Sequence, residues 1–156
     1  SGLASERYGI SFQNRGAGFG LAEGHVNELK GGRRPLHTLI PGFMEKPAAF
    51  VMPFGVMGGP FQATGHAHVL SNMADFGMDL QEAIDCPRSF ADSARGELVL
   101  EAGFSDAVAA KLGEMGHKVS RADIGMGGAQ GIQIDLARGI LIGGSDQRKD
   151  GLALGN

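Results

Sequence analysis

Residues 55–66 read Gly-Val-Met-Gly-Gly-Pro-Phe-Gln-Ala-Thr-Gly-His. Upstream of this stretch, Ala48 to Met57 is rich in Phe, Val and Met and reads as a buried strand, with Pro53 marking a bulge or an edge. Downstream, Val69, Leu70, Met73 and Phe76 fall on one helical face, and Gly77 ends it. A strand, a tandem glycine and a helix in succession point to a mixed α/β fold. Two adjacent backbone N–H groups with no Cβ in the way can both point at one developing negative charge, the arrangement that stabilises an oxyanion in acyl transfer. The same glycines also serve simply to end a strand and let a helix pack close. No nucleophile for such chemistry lies near them.

The rest of the chain supplies the layers. Tyr8 to Gln13 alternates weakly and predicts a strand. Glu23 to Pro35 is a polar loop. Leu36 to Ile40 is a short apolar segment stopped by Pro41. Asp79 followed by Glu82 predicts a capping box on a short helix that stops at Pro87. Glu97 to Glu101 predicts a strand. Ser105 is an N-cap for a helix carrying Val108, Leu112 and Met115 and ended by Gly116. Gln130 to Asp135 alternates, turns at Leu136 to Gly139 and returns as Ile140 to Ile142, a hairpin. The pattern is α/β and layered, with no internal boundary: residues 1–156 read as one domain, or a portion of one.

Composition narrows the function classes. The chain has 156 residues and is 42% hydrophobic, which argues against disorder. Its 14 Lys and Arg against 17 Asp and Glu give a net charge of −3, so nucleic acid and anionic membranes are not expected partners. The basic stretch Lys30 to Arg34 reads as a solvated turn. The 27 glycines follow no fixed period, which excludes collagen and repeat arrays. No apolar run is long enough to span a bilayer. The chain shows no signal peptide and does not begin with methionine, so a processed product or an excised piece is expected. The lone Cys86, before Pro87, excludes an internal disulfide and reads as a small buried residue. His25, His37, His66, His68 and His117 show no metal-ligand spacing and read as capping or surface histidines, so no metal or cofactor is expected. Gly16-Ala17-Gly18-Phe19-Gly20 lacks the spacing of a nucleotide-binding turn. Gly143 to Asp150 reads either as a turn lining a site or as a surface turn tied by weak Asp–Arg pairs. No G-x-S-x-G elbow is present.

Several strings, in order along nearly the whole chain, resemble one family. They are Gln13-Asn14-Arg15-Gly16 with Phe19; Arg34-Pro35-Leu36-His37-Thr38 with Pro41-Gly42; Gly55-Val56-Met57-Gly58-Gly59; and Asp75-Phe76-Gly77-Met78 with Glu82-Ala83-Ile84 and Pro87-Arg88. Gly127-Gly128-Ala129-Gln130 and Gly144-Ser145-Asp146 with Arg148 complete the set. Together they resemble the gamma-glutamyltranspeptidases. The resemblance implies a portion of an N-terminal-nucleophile hydrolase fold, a four-layer αββα sandwich. It implies a precursor that cleaves itself into a large and a small subunit, and a threonine nucleophile at the new terminus whose own α-amine acts as base. It implies transfer of a γ-glutamyl group, from glutathione or a related amide, to water or an amine. The threonine belongs a short distance upstream of Ser1-Gly2, outside this chain. The chain is therefore expected to be most of a small subunit, inactive alone, with the large subunit of the same precursor as its partner and some tendency to self-associate through bare sheet edges. The family's location is periplasmic or extracellular, with the cytoplasm as the alternative.

The resemblance assigns the oxyanion role to Gly58 and Gly59, and substrate binding to Arg15, His37 and Thr38. His37 and Thr38 match a hydroxyl pair that holds the α-carboxylate, of which Thr38 alone keeps the hydroxyl. Arg15 and Gly18 match an amide and a carboxylate that hold the α-amine. A guanidinium repels an ammonium and attracts a carboxylate. These departures point to a glutaryl-type acyl amide as an alternative substrate, or to a non-catalytic paralogue binding a small carboxylate or a partner chain. The segment between Phe19 and Arg34 is short beside members that carry a lid, implying an open pocket.

Overall fold

The computed structural model describes residues 2–155, so Ser1 of the Ser1-Gly2 match lies outside the described residues. The chain forms two compact units, Ser1–Thr38 and Leu39–Asn156. The first is built mainly of turns. Tyr8 to Gln13 does not form the expected strand. A turn closed by Gly9 N–H donating to Ser5 O at 2.8 Å occupies its start, and only one antiparallel bridge, Ala4 with Ser11, follows. Alternation makes a strand only where a neighbour takes up successive N–H and C=O groups in a continuous ladder, and here the pairing stops at that one bridge, with Ser5 N–H donating to Ile10 O at 2.9 Å and Phe12 N–H to Leu3 O at 2.8 Å. Arg15–Gly18 is a 3-10 turn, and 23–35 is loop as expected apart from a bridge between Gly20 and Glu28.

The second unit contains, in chain order, β1 (Pro41–Lys46), β2 (Phe50–Met57), α1 (Gln62–Ala74), α2 (Leu80–Asp85), β3 (Ser89–Asp92), β4 (Glu97–Leu100), α3 (Asp106–Glu114), β5 (Val119–Arg121), β6 (Gly128–Asp135) and β7 (Ile140–Ser145). Two sheets result. One is antiparallel with the order β1-β2-β6-β7; the other has the order β3-β4-β5, with β4 and β5 parallel. Pro41 opens β1 instead of stopping an apolar segment. It pairs with Gly55 at the edge of the sheet, a position that tolerates a missing N–H. Pro53 sits neither at an edge nor at a bulge. β2 is an inner strand, and its pairing to β6 keeps the same register on both sides of Pro53 (Val51 with Ile134, Phe54 with Gly131).

The alternation of β2 sends Met52, Phe54 and Val56 inward, where they meet Phe61, Val69, Leu80, Ala83, Ile84 and Ala129 in one core. α1 packs on β2 and α2 on β7, so both helices cover the same face of the four-stranded sheet. The opposite face carries Phe43, Ile132 and Leu141, which are 66%, 48% and 70% exposed. A sheet with helices on one face and bare apolar side chains on the other has the make-up of half a layered sandwich.

Local signals held well here. The Asp79–Glu82 capping box is complete: Glu82 N–H donates to Asp79 Oδ1 at 2.8 Å and Asp79 N–H to Glu82 Oε2 at 2.9 Å. Ser105 accepts from Val108 N–H at 3.3 Å at the start of α3. The hairpin is β6–β7, turning through Gly139 at φ +67°. The expected apolar faces are less complete. Val69 is buried, but Phe76 lies beyond the end of α1 and points outward, and Val108 and Met115 of the third helical segment are exposed.

Candidate active site

β2 ends at Met57, and the chain reverses through Gly58 (φ +136°) and Gly59 (φ +59°). A 3-10 turn, Gly59–Phe61, then leads into α1, with Phe61 N–H donating to Gly58 O at 3.2 Å. Both positive φ values lie where side-chain-bearing residues are strained. Space is also short: a Cβ on Gly58 would sit 2.9 Å from Gly127 Cα. The turn is thus a backbone feature that only glycine can form, placed where α1 begins and its N-terminal dipole adds positive potential.

Two side chains on the first turns of α1 reach back to this segment. His66 Nε2 accepts from Val56 N–H at 3.3 Å, and its Nδ1 lies 2.7 Å from Gln62 O. A backbone N–H only donates and a carbonyl only accepts, so the ring is the Nδ1–H tautomer. Gln62 Nε2 in turn donates to Gly59 O at 3.2 Å. His66 is therefore a buried bridge between helix and strand, not the capping or surface histidine its sequence context suggested. The pattern could not reveal this, because its partner Val56 is placed against it only by the turn.

Behind the turn lies a buried charge network. Gly143–Ser145 completes β7 instead of forming a surface turn, and Asp146 is fully buried. Its Oδ2 accepts from Arg88 Nη2 and from Ala129 N–H, both at 2.7 Å. Arg148 forks onto Glu101 at 2.8 and 2.6 Å and also donates to Asp146 Oδ1, Ile84 O and Cys86 O. Cys86 itself is half-buried at the end of α2. The network grips the loop backing the tandem glycine. Glu101 Oε1 accepts Met126 N–H at 2.6 Å, Arg88 Nη1 donates to Met126 O at 2.7 Å, and Gly127 follows, in contact range of Gly58. Gly127 has φ +64°, and a Cβ there would overlap Met57 O.

Burial by itself would raise the pKa of Glu101. The hydrogen bonds from Arg148, Met126 N–H and Arg88 N–H outweigh it and hold the carboxyl below its ordinary value. Asp146 behaves alike: burial opposes ionisation, while Ala129 N–H, Arg148 N–H and the Arg88 charge favour it and prevail. Half-buried His68, on α1, is pushed down by burial and by the charges of Arg88 and Arg148.

The three substrate-binding candidates belong to the N-terminal unit. Half-buried Arg15 donates through Nη1 to Thr38 Oγ1, which brings those two together. His37 is exposed. Nothing lies within 4 Å of where a Cβ on Gly18 would stand, so that position is open. Among the described residues no group of His, Cys, Asp and Glu is arranged to hold a metal ion, and no helix is long and apolar enough to cross a membrane.

Comparison with known proteins gives these features a context. The family model of gamma-glutamyltranspeptidase matches residues 1–156. The glutathione hydrolase-like YwrD proenzyme of Bacillus subtilis is 38% identical over 94% of the chain, and the oxamate amidohydrolase proenzyme of Klebsiella pneumoniae is 36% identical over 99%. The chain spans 29% and 30% of the lengths of those two relatives. Among solved structures, the cephalosporin acylase from Bacillus halodurans superposes with a TM-score of 0.75 at 40% identity, covering 90% of this chain and 26% of that one.

Proposed function

The chain belongs to the gamma-glutamyltranspeptidase family, and from that premise we propose that it is the greater part of the small subunit of an amide-cleaving acyltransferase or hydrolase. Its two units are then portions of one αββα domain. A threonine carried upstream of residue 1 attacks the amide carbonyl, with its own α-amine as base. The N–H groups of Gly58 and Gly59 stabilise the tetrahedral oxyanion, the amine leaves, and water or a second amine removes the acyl group. The observation that carries this reading is the positive-φ tandem glycine between a buried strand and a helix N-terminus. The large subunit of the same precursor is the proposed partner, laid against the bare apolar face of the four-stranded sheet. The isolated chain is expected to self-associate, and a monodisperse monomer at high concentration would count against this.

The acyl group is the finer question. Arg15, His37 and Thr38 are proposed to hold the carboxylate of the acyl donor. Arg15 offers a guanidinium next to the Thr38 hydroxyl, and Gly18 offers no carboxylate for an α-amine. This favours γ-acyl amides without the α-amino group, of the glutaryl type, over γ-glutamyl amides. The names of the similar oxamate amidohydrolase and cephalosporin acylase support a family range wider than glutathione. The test is to assay the full-length protein with γ-glutamyl and glutaryl anilides side by side. Faster release from the glutaryl compound is expected. Faster release from the γ-glutamyl compound overturns the specificity reading, and no release from either, despite an upstream Thr, Ser or Cys, favours the carboxylate-binding paralogue.

A further inference from the structure

We infer that Gln62 and His66 form a clamp that sets the direction of the Gly58 and Gly59 N–H groups, which makes them positioning residues for the oxyanion. The inference rests on the acyl-transfer reading above and deepens it. Glycine turns are mobile by default, because glycine has the widest choice of φ and ψ. An oxyanion hole works only if its donors are held in place before the charge develops. In this chain the four-residue segment from Val56 to Gly59 is tied at both ends to one helical turn. His66 takes the N–H of Val56 at 3.3 Å, and Gln62 donates to the carbonyl of Gly59 at 3.2 Å.

The two side chains are four residues apart on α1, so they lie on the same face of the helix. They are also coupled to each other, because His66 Nδ1–H donates to Gln62 O at 2.7 Å and thereby leaves Nε2 free to accept. β1 reaches only as far as Gly55, opposite Pro41, so Val56 lies one residue past the end of that ladder, where the imidazole meets its N–H. The ring is fixed from the sides as well. Phe54 lies 5.2 Å away, centroid to centroid, and a Cβ on Gly42 would stand 3.1 Å from His66 Cδ2. Gln62 and His66 are both buried, so water competes little for these bonds.

Each bond by itself contributes little to stability. Their larger effect is on catalysis, since a displacement of about 1 Å in a positioned group slows turnover by as much as about 100-fold. The test uses the full-length protein and its best anilide substrate. His66→Phe keeps a ring but no acceptor, and is expected to lower kcat about 10- to 100-fold with little change in KM. His66→Gln places an amide oxygen where Nε2 was, and should restore most of the loss. Gln62→Met, which keeps the shape and removes the donor, should lower kcat in the same manner if His66→Phe does not fold. An unchanged kcat in the folded His66→Phe and Gln62→Met variants, or an equal loss in His66→Phe and His66→Gln, overturns the inference.

A second readout separates this inference from the functional reading. Nitrogen-15 NMR of the wild-type protein should show His66 as the neutral Nδ1–H tautomer, with slow exchange of the Val56 amide that speeds up in His66→Phe. The other tautomer overturns the clamp whatever the activity. A wild-type protein with no acyl transfer overturns the functional reading and the catalytic half of this inference, while the tautomer still decides whether the clamp exists.

Discussion

Arg88 Nη2 and Asp146 Oδ2 meet at 2.7 Å with both side chains 0% exposed, although 58 residues separate them in the chain. This pair closes the second unit. Arg88 follows α2, Asp146 follows β7, and the bonds from Arg88 to Met126 O and from Ala129 N–H to Asp146 fix the loop behind the tandem glycine.

Breaking the pair takes a partner from a buried charge: Asp146→Ala leaves Arg88 without its carboxylate, and Arg88→Met leaves Asp146 with Arg148 as its one cation. Arg88→Met or Asp146→Ala should therefore destabilise the protein by about 3–5 kcal/mol. Chemical denaturation with tryptophan-free probes such as far-UV circular dichroism measures this. A loss below about 1 kcal/mol, the range of exposed pairs, would show that the contact is not sealed from water.

Acid should unfold the protein through the same network. The folded-state pKa values of Asp146 and Glu101 are depressed, so their linked stability is full above the unfolded carboxylate range near pH 4 and disappears as pH falls through the folded values. His68 acts earlier. Its pKa is also lowered, so the unfolded chain binds a proton first, and stability begins to fall below its unfolded value of about 6.5. Stability measured against pH should show a shallow loss from pH 6.5 downward and a steep loss in the carboxylate range. His68→Leu should remove the shallow part and keep the steep one.

Gly58→Ala pushes a methyl group towards Gly127 Cα and strains a positive φ. In the full-length enzyme it should lower kcat about 100- to 1,000-fold, the effect of losing one oxyanion donor. Gly127→Ala should do nearly as much damage without touching substrate, because its Cβ overlaps Met57 O and must move the turn. Steady-state kinetics of the two variants tests this, and a Gly127→Ala enzyme with wild-type kcat would show that the backing loop does not position the turn.

Arg15→Asn combined with Gly18→Asp rebuilds an amide and a carboxylate for an α-amine in an open place. The ratio of kcat/KM for γ-glutamyl over glutaryl anilide should rise at least about tenfold, the worth of one charged hydrogen bond. A ratio that stays put would remove Arg15 and Gly18 from the specificity site.

The capping box offers a control away from any site. Asp79→Ala should cost about 1 kcal/mol, read by denaturation, with kcat unchanged. A much larger loss would mean that α2 depends on its cap more than on Leu80, Ala83 and Ile84 in the core.

The sequence by itself determined the features whose causes are local. The Asp79–Glu82 box, the Ser105 cap, the hairpin through Gly139 and the strand-to-helix passage at Gly58-Gly59 depend on residues within a few positions of one another, and the string Gly55 to Gly59 was one of the ordered set that pointed to the family. Tertiary structure decided what depends on distant neighbours. Tyr8 to Gln13 had the alternation of a strand but only a single bridge, whereas Pro41 opened one because an edge excuses its missing N–H. Asp146 and Arg148 had the composition of a surface turn and became a buried network, because Arg88 and Glu101 arrive from elsewhere in the chain to neutralise them. His66 became a bridge because the turn returns Val56 to its ring. Burial and partnership are properties of contacts between segments far apart in the chain, so no local window of sequence contains them.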